Sequence, residues 1–107
     1  MENRYRLKFT PIAFSDIDEA MIYISGNLAN PAAAGRLFEE LEEAIEKIRS
    51  FPYAFADCSY YMIPDGNIRH IRVNNYVLIY EIVEERKIIH ILRFLYSKID
   101  FTQINIK

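Results

Sequence analysis

A run of apolar, β-branched and aromatic residues from Ile68 to Phe101, cut twice by short polar segments, constrains this chain more than any other feature. It reads Ile68 to Val73, the pair Asn74-Asn75, Tyr76 to Val83, the charged segment Glu84-Glu85-Arg86, and Lys87 to Leu95. Runs of this composition with such punctuation predict a β-meander. Two asparagines between strands suit a type I′ hairpin, which needs positive φ at both central residues, a conformation Asn tolerates. Alternation then places Tyr76, Leu78, Tyr80 and Ile82 on one face and Val77, Ile79, Glu81 and Val83 on the other. Both sets are largely apolar, so the strands are expected at the centre of the sheet with cover on both sides.

Upstream, Tyr5-Arg6-Leu7-Lys8-Phe9 alternates as a strand with Tyr5, Leu7 and Phe9 inward. Thr10-Pro11 is a helix start, a capping hydroxyl followed by a proline whose missing N–H costs nothing there. The stripe Ala13, Ile17, Ala20, Met21, Ile24 and Leu28 predicts a first helix over 12–28, with Asp16, Asp18 and Glu19 near its positive end. Asn30-Pro31 repeats the signal. A second helix follows, its buried stripe Ala34, Leu37, Phe38, Leu41, Ile45 and Ile48, its outer face carrying five glutamates, and its end at Phe51-Pro52. Residues 53–57 read as loop, Cys58 to Ile63 as a strand, and Pro64-Asp65-Gly66-Asn67 as a turn. The order is strand, helical hairpin, then a four-stranded antiparallel meander, a two-layer α+β architecture in a single domain over residues 1–107.

Composition narrows the function classes. One cysteine, Cys58, allows no disulfide within the chain and suits a reducing compartment; with no signal-like or membrane-length apolar segment, a cytoplasmic location is expected. The three glycines are scattered, which leaves no phosphate-binding glycine loop, and one Cys with two His leaves no closed Cys/His zinc site, so neither cofactor nor metal is expected. A Cys58/His70 or Cys58/His90 nucleophile pair has no supporting sequence context, and His90 reads as a hydrogen-bonded strand residue.

Charge is uneven. Residues 1–59 hold six Lys/Arg against ten Asp/Glu, residues 60–107 seven against five, so the sheet half is slightly basic although the net charge is -2. Arg69, Arg72, Arg93 and Lys98, interleaved with Tyr96 and Phe101, suit contact with a phosphate-bearing or other anionic partner. The competing reading pairs Arg93 with an acid such as Glu81 across the sheet and leaves the others as solvated rim charges. Residue types alone leave both open.

The helix pair joined by Asn30-Pro31-Ala32-Ala33-Ala34, the loop after Phe51-Pro52, and above all Ile68-Arg69-His70-Ile71-Arg72-Val73-Asn74-Asn75-Tyr76 through Ile82, followed by Ile91-Leu92-Arg93-Phe94-Leu95-Tyr96-Ser97-Lys98-Ile99-Asp100, resemble the RelE/ParE toxins over nearly the whole chain. The resemblance implies a RelE/ParE-like fold and the growth-inhibiting toxin of a type II toxin–antitoxin, or plasmid-stabilisation, module. It also implies neutralisation by a cognate antitoxin, and leaves a homodimer or a toxin–antitoxin hetero-oligomer open. RelE-like members cleave messenger RNA on the ribosome without a metal; ParE-like members inhibit DNA gyrase and are not nucleases. By position, Arg72 matches a basic residue of the RelE site, His70 falls at another, and Lys98 lies near a late arginine. Val77 departs from the pattern, because RelE-like nucleases commonly carry arginine after the tyrosine that Tyr76 matches; a fixed cation for a scissile phosphate is thereby lost. Tyr96 stands where many ParE-like sequences have His. The balance leans to a ParE-like gyrase inhibitor using Arg69, Arg72, Arg93 and Lys98 for target contact. The alternatives are a RelE-like nuclease in which Arg72, Lys98, His70 and Tyr96 are catalytic, and a non-toxic antitoxin-binding or repressor-complex partner.

Overall fold

The structure, a computed structural model, describes residues 5–27, 29–57 and 67–98. The chain forms β1 (Arg6–Phe9), α1 (Pro11–Ile22) continued by a π-helical turn (Tyr23–Asn27), α2 (Pro31–Ser50), a 3-10 turn (Pro52–Ala54), β2 (Ala56–Asp57), β3 (Ile68–Val73), β4 (Tyr76–Val83), a second 3-10 turn (Glu84–Arg86) and β5 (Ile88–Tyr96). Among the described residues five strands make one sheet in the order β1-β5-β4-β3-β2, antiparallel except that β1 runs parallel to β5. The expected strand over 58–63, with its turn as far as Gly66, lies outside the described residues. Ala56 and Asp57, read above as loop, already pair with His70 and Arg69.

Both helices start as their caps dictate. Thr10 Oγ1 accepts from the Ala13 N–H at 3.0 Å and Asn30 Oδ1 from the Ala33 N–H at 3.1 Å. Thr10 Oγ1 also donates to the Leu92 carbonyl, tying the head of α1 to β5. The first helix turns π-helical at Tyr23, before the predicted end.

α1 packs on β5 and α2 on β3, so one sheet face is covered by the hairpin. Tyr80, Leu78, Ile82, Ile89, Ile91 and Phe94 meet Ala13, Ala20, Leu37, Leu41 and Ile48 there, all buried. Each such large aliphatic side chain contributes about 1.5–3 kcal/mol on leaving water. Ile68, Val77, Ile79 and Leu92 form a separate buried cluster. The predicted sorting of β4 therefore holds. Phe38 does not follow its stripe: it is 46% exposed, and Ala44 takes the buried place instead.

Val73 pairs with Tyr76 across a two-residue turn, but only Asn74 has positive φ, at 58°. That is the pattern of a type II′ turn, not the type I′ expected. β5 carries a bulge: Ile79 faces Arg93 while Tyr80 faces Ile91, leaving Leu92 over. The bulge falls where β1 ends, opposite Phe9↔Ile91, so β5 is re-aimed where it loses its outer neighbour.

Candidate functional site

Because side chains alternate, Arg69 and Arg72 cannot share a face. Arg69 follows Ile71 and Val73 towards the helices, whereas His70 and Arg72 follow Ile68 to the far side. Arg69 is half-buried and fully engaged. Its Nη1 donates to the Phe55 carbonyl at 2.7 Å and the Tyr53 carbonyl at 3.3 Å, its Nε to Asn67 Oδ1 at 3.3 Å, and its guanidinium lies 5.3 Å from the Tyr53 ring centroid. It ties the segment after α2 to β3, helped by the Tyr80 hydroxyl, which donates to the Pro52 carbonyl at 2.6 Å.

Arg93 is committed as well, and to a different acid from the one expected. Its Nε and Nη2 donate to Asp16 Oδ2 and Oδ1 at 2.7 and 3.0 Å, and the Phe94 N–H donates to Oδ2 at 3.0 Å. The side chains are only 13% and 8% exposed. Glu81 lies opposite Ile68 on β3 and His90 on β5. The bulge and the end of β1 open the outer edge of β5 to α1, and Asp16 fills that opening.

Arg72 and Lys98 remain exposed. Arg72 Nε donates to the Asn74 carbonyl at 3.3 Å and Nη2 to Ser97 Oγ at 3.4 Å, while Lys98 follows Ser97 in the turn after β5. The Asn-Asn turn sets this up, since the Ser97 N–H donates to the Asn75 carbonyl at 2.8 Å. Arg72, His70, Val77 and Ser97 line a cleft of about 440 Å³ against Ala54–Ala56. Burial pushes the His70 pKa below the ordinary 6.5, so at neutral pH this imidazole is uncharged. Val77 stands directly across from Arg72 in the β3–β4 register and is buried among Ile68, Ile79 and Leu92. Where the resemblance expects a second cation, the wall of the cleft is apolar.

Tyr96 is not in this cleft. It lines a groove on the helix side with Tyr76, Tyr23 and Glu19, next to the Asp16–Arg93 pair. Tyr76 stacks on Phe94 at 4.9 Å and meets the Tyr96 ring edge-on at 5.9 Å. Burial, then the neighbouring Tyr23 and Tyr96, raise the Tyr76 pKa above 10. Tyr23 went unnoticed in the sequence, Asp16 was read only as an acid near the start of the first helix, and Ser97 was given no role; only the pairing of the Asn-Asn turn with the end of β5 could have pointed to Ser97. Among the described residues no three His, Cys, Asp or Glu side chains gather closely enough to hold a metal ion, and no helix is long and apolar enough to cross a membrane.

A helical hairpin on a five-stranded sheet with its first strand parallel to its last is the architecture of the RelE/ParE toxins. The chain matches the structure of the chromosomal ParDE system of P. aeruginosa at a TM-score of 0.69 and 18% identity, over 90% of this chain and 99% of that one. It matches the RelBE2 complex of Mycobacterium tuberculosis at 0.61 and 20%, over 87% and 98%. A mutant of E. coli RelE in the free state matches at 0.57 and 15%, over 89% and 85%. No curated protein matches by sequence. The family model described as the ParE toxin of the type II toxin–antitoxin system parDE matches residues 7–101, and the chain belongs to that family.

Proposed function

We propose that this toxin acts as ParE-like members do, by binding DNA gyrase in the cytoplasm without performing chemistry, and that a cognate antitoxin holds it inactive. One observation carries the reading. Val77, buried and apolar, stands across from Arg72 at the place where an RNA-cleaving relative would set a cation against the scissile phosphate. Arg69 and Arg93 are bound to the chain's own carbonyls and to Asp16, so of the four candidate cations Arg72 and Lys98 are the two left to touch a target, with Arg69 and Arg93 holding the frame. Tyr96 and His70 lie in different clefts, which does not suit their sharing one proton-transfer site.

The test is induction without antitoxin, following thymidine and amino-acid incorporation in one culture over the first minutes, alongside supercoiling by purified gyrase. DNA synthesis should fall first, and Arg72→Ala with Lys98→Ala should weaken gyrase inhibition roughly tenfold or more, as loss of central interface cations does. An earlier fall in protein synthesis would instead establish the RelE-like reading, with His70 and Arg72 at its centre. Normal growth with both rates intact would leave a non-toxic repressor-complex partner.

A further inference from the structure

The helix-side groove differs in chemistry from the cleft around Arg72. Tyr23 comes from the π-helical turn after α1, Tyr76 from the start of β4 and Tyr96 from the end of β5, so three elements bring three phenol rings to one depression. Tyr23 and Tyr96 are each 49% exposed, which leaves ring surface available at its mouth. Among the described residues, those with formal charge that line it are acids. Asp16 is saturated by Arg93 and the Phe94 N–H, but Glu19 is exposed and makes no ion pair among the described residues.

Three ligand chemistries can be weighed. A phosphate or nucleic-acid strand would meet Glu19 and phenol oxygens and, among the described lining residues, no cation, so repulsion and desolvation oppose it. An apolar side chain would gain contact area but would strip water from the phenol hydroxyls and the Glu19 carboxylate without replacing their hydrogen bonds. A cation gains from both, because ring faces attract it through their quadrupoles and a carboxylate at the rim adds a direct charge partner.

We propose that Tyr23, Tyr76, Tyr96 and Glu19 form an aromatic cage that receives an arginine or lysine side chain of a protein partner. The inference rests on the toxin reading above only in taking the carrier to be that toxin's protein partner. β1 pairs with β5 no further than Ile91, and Thr10 and Asp16 take the Leu92 carbonyl and the Phe94 N–H, so it is past Phe94, along Leu95 and Tyr96, that no described strand covers β5 and an approaching segment can bring its side chain into the cage.

The test uses the full chain with ring-labelled tyrosine and two probes of nearly equal shape, N-acetyl-argininamide and N-acetyl-citrullinamide, of which only the first is charged. The arginine probe should move the ring signals of Tyr23, Tyr76 and Tyr96 saturably and bind about tenfold more tightly than the citrulline probe. Glu19→Gln should weaken it several-fold, and Tyr96→Phe should retain it where Tyr96→Ala does not. Glu19→Gln and Tyr96→Phe alter no buried contact, so they stay informative if Tyr96→Ala fails to fold. Equal binding of both probes, or no saturable movement of these rings, overturns the cage. Neither result bears on growth inhibition, and a protein that proves non-toxic can still pass this test.

Discussion

Asp16 is the residue on which most depends. Its carboxylate neutralises a nearly buried guanidinium and satisfies the N–H of a bulged strand, so replacing it leaves two polar groups stranded. Asp16→Ala should destabilise the fold by about 3–5 kcal/mol, the usual cost of breaking a buried pair, read as a fall in the urea midpoint; Asp16→Asn should cost less because one acceptor remains. Glu84 is the surface counterpart. Lys87, then the Tyr5 hydroxyl at 2.6 Å and the Tyr53 hydroxyl at 2.8 Å, donate to it and hold its pKa down to about 2. A depressed carboxylate stabilises the fold fully above its unfolded pKa near 4.5 and loses that contribution as the pH falls towards about 2. Glu84→Gln should therefore flatten the dependence of Tm on pH between pH 5 and pH 2.5. Lys87 lies only three residues from Glu84, but the tyrosine partners of Glu84 and the arginine partner of Asp16 could not be read from the chain alone. Asp16 and Arg93 lie 77 residues apart, and no local pattern announces the bulge in β5 beside which they meet.

At the level of elements, what was legible followed from local rules that act within a few residues. Thr10-Pro11 and Asn30-Pro31 start helices where they stand, and the alternation of β4 sorts Tyr80 and Leu78 from Val77 and Ile79. The failures came where tertiary packing overrides periodicity. Phe38 shares its stripe with Leu37 and Leu41 yet falls outside the area the sheet can cover, and Arg69 and Arg72, grouped by type, separate because their spacing is odd. The candidate site was thus partly visible, as Arg72, His70 and the apolar Val77, without the part that Ser97 and the Ala54–Ala56 segment take in lining the cleft. The β3–β4 turn makes its own prediction. Asn74 sits at φ 58°, so Asn74→Gly should be neutral or slightly stabilising, whereas Asn74→Val should cost roughly 1–2 kcal/mol and broaden the cross-strand amide signals of Val73 and Tyr76 in NMR spectra.

For the molecule as a whole, the sheet is closed by its first strand lying against its last. Removing residues 1–9 should bare the Ile88–Ile91 edge, a flat apolar row of unpaired backbone, and convert the protein into soluble aggregates on size-exclusion chromatography at micromolar concentration. The two faces of the sheet then carry opposite chemistries, Arg72 on one and the tyrosine groove with Glu19 on the other, so a target and a neutralising partner need not compete for the same atoms. The closure of β1 on β5 also sets a clock on the ribosome. Thr10 and its acceptor Leu92 are 82 residues apart, and at roughly 5–20 residues per second the nascent chain waits several seconds with its opening strand unmatched. No prefix of the chain that stops short of Ile88 can close this sheet, so the cell has that interval to place a neutralising partner beside the toxin before it becomes one.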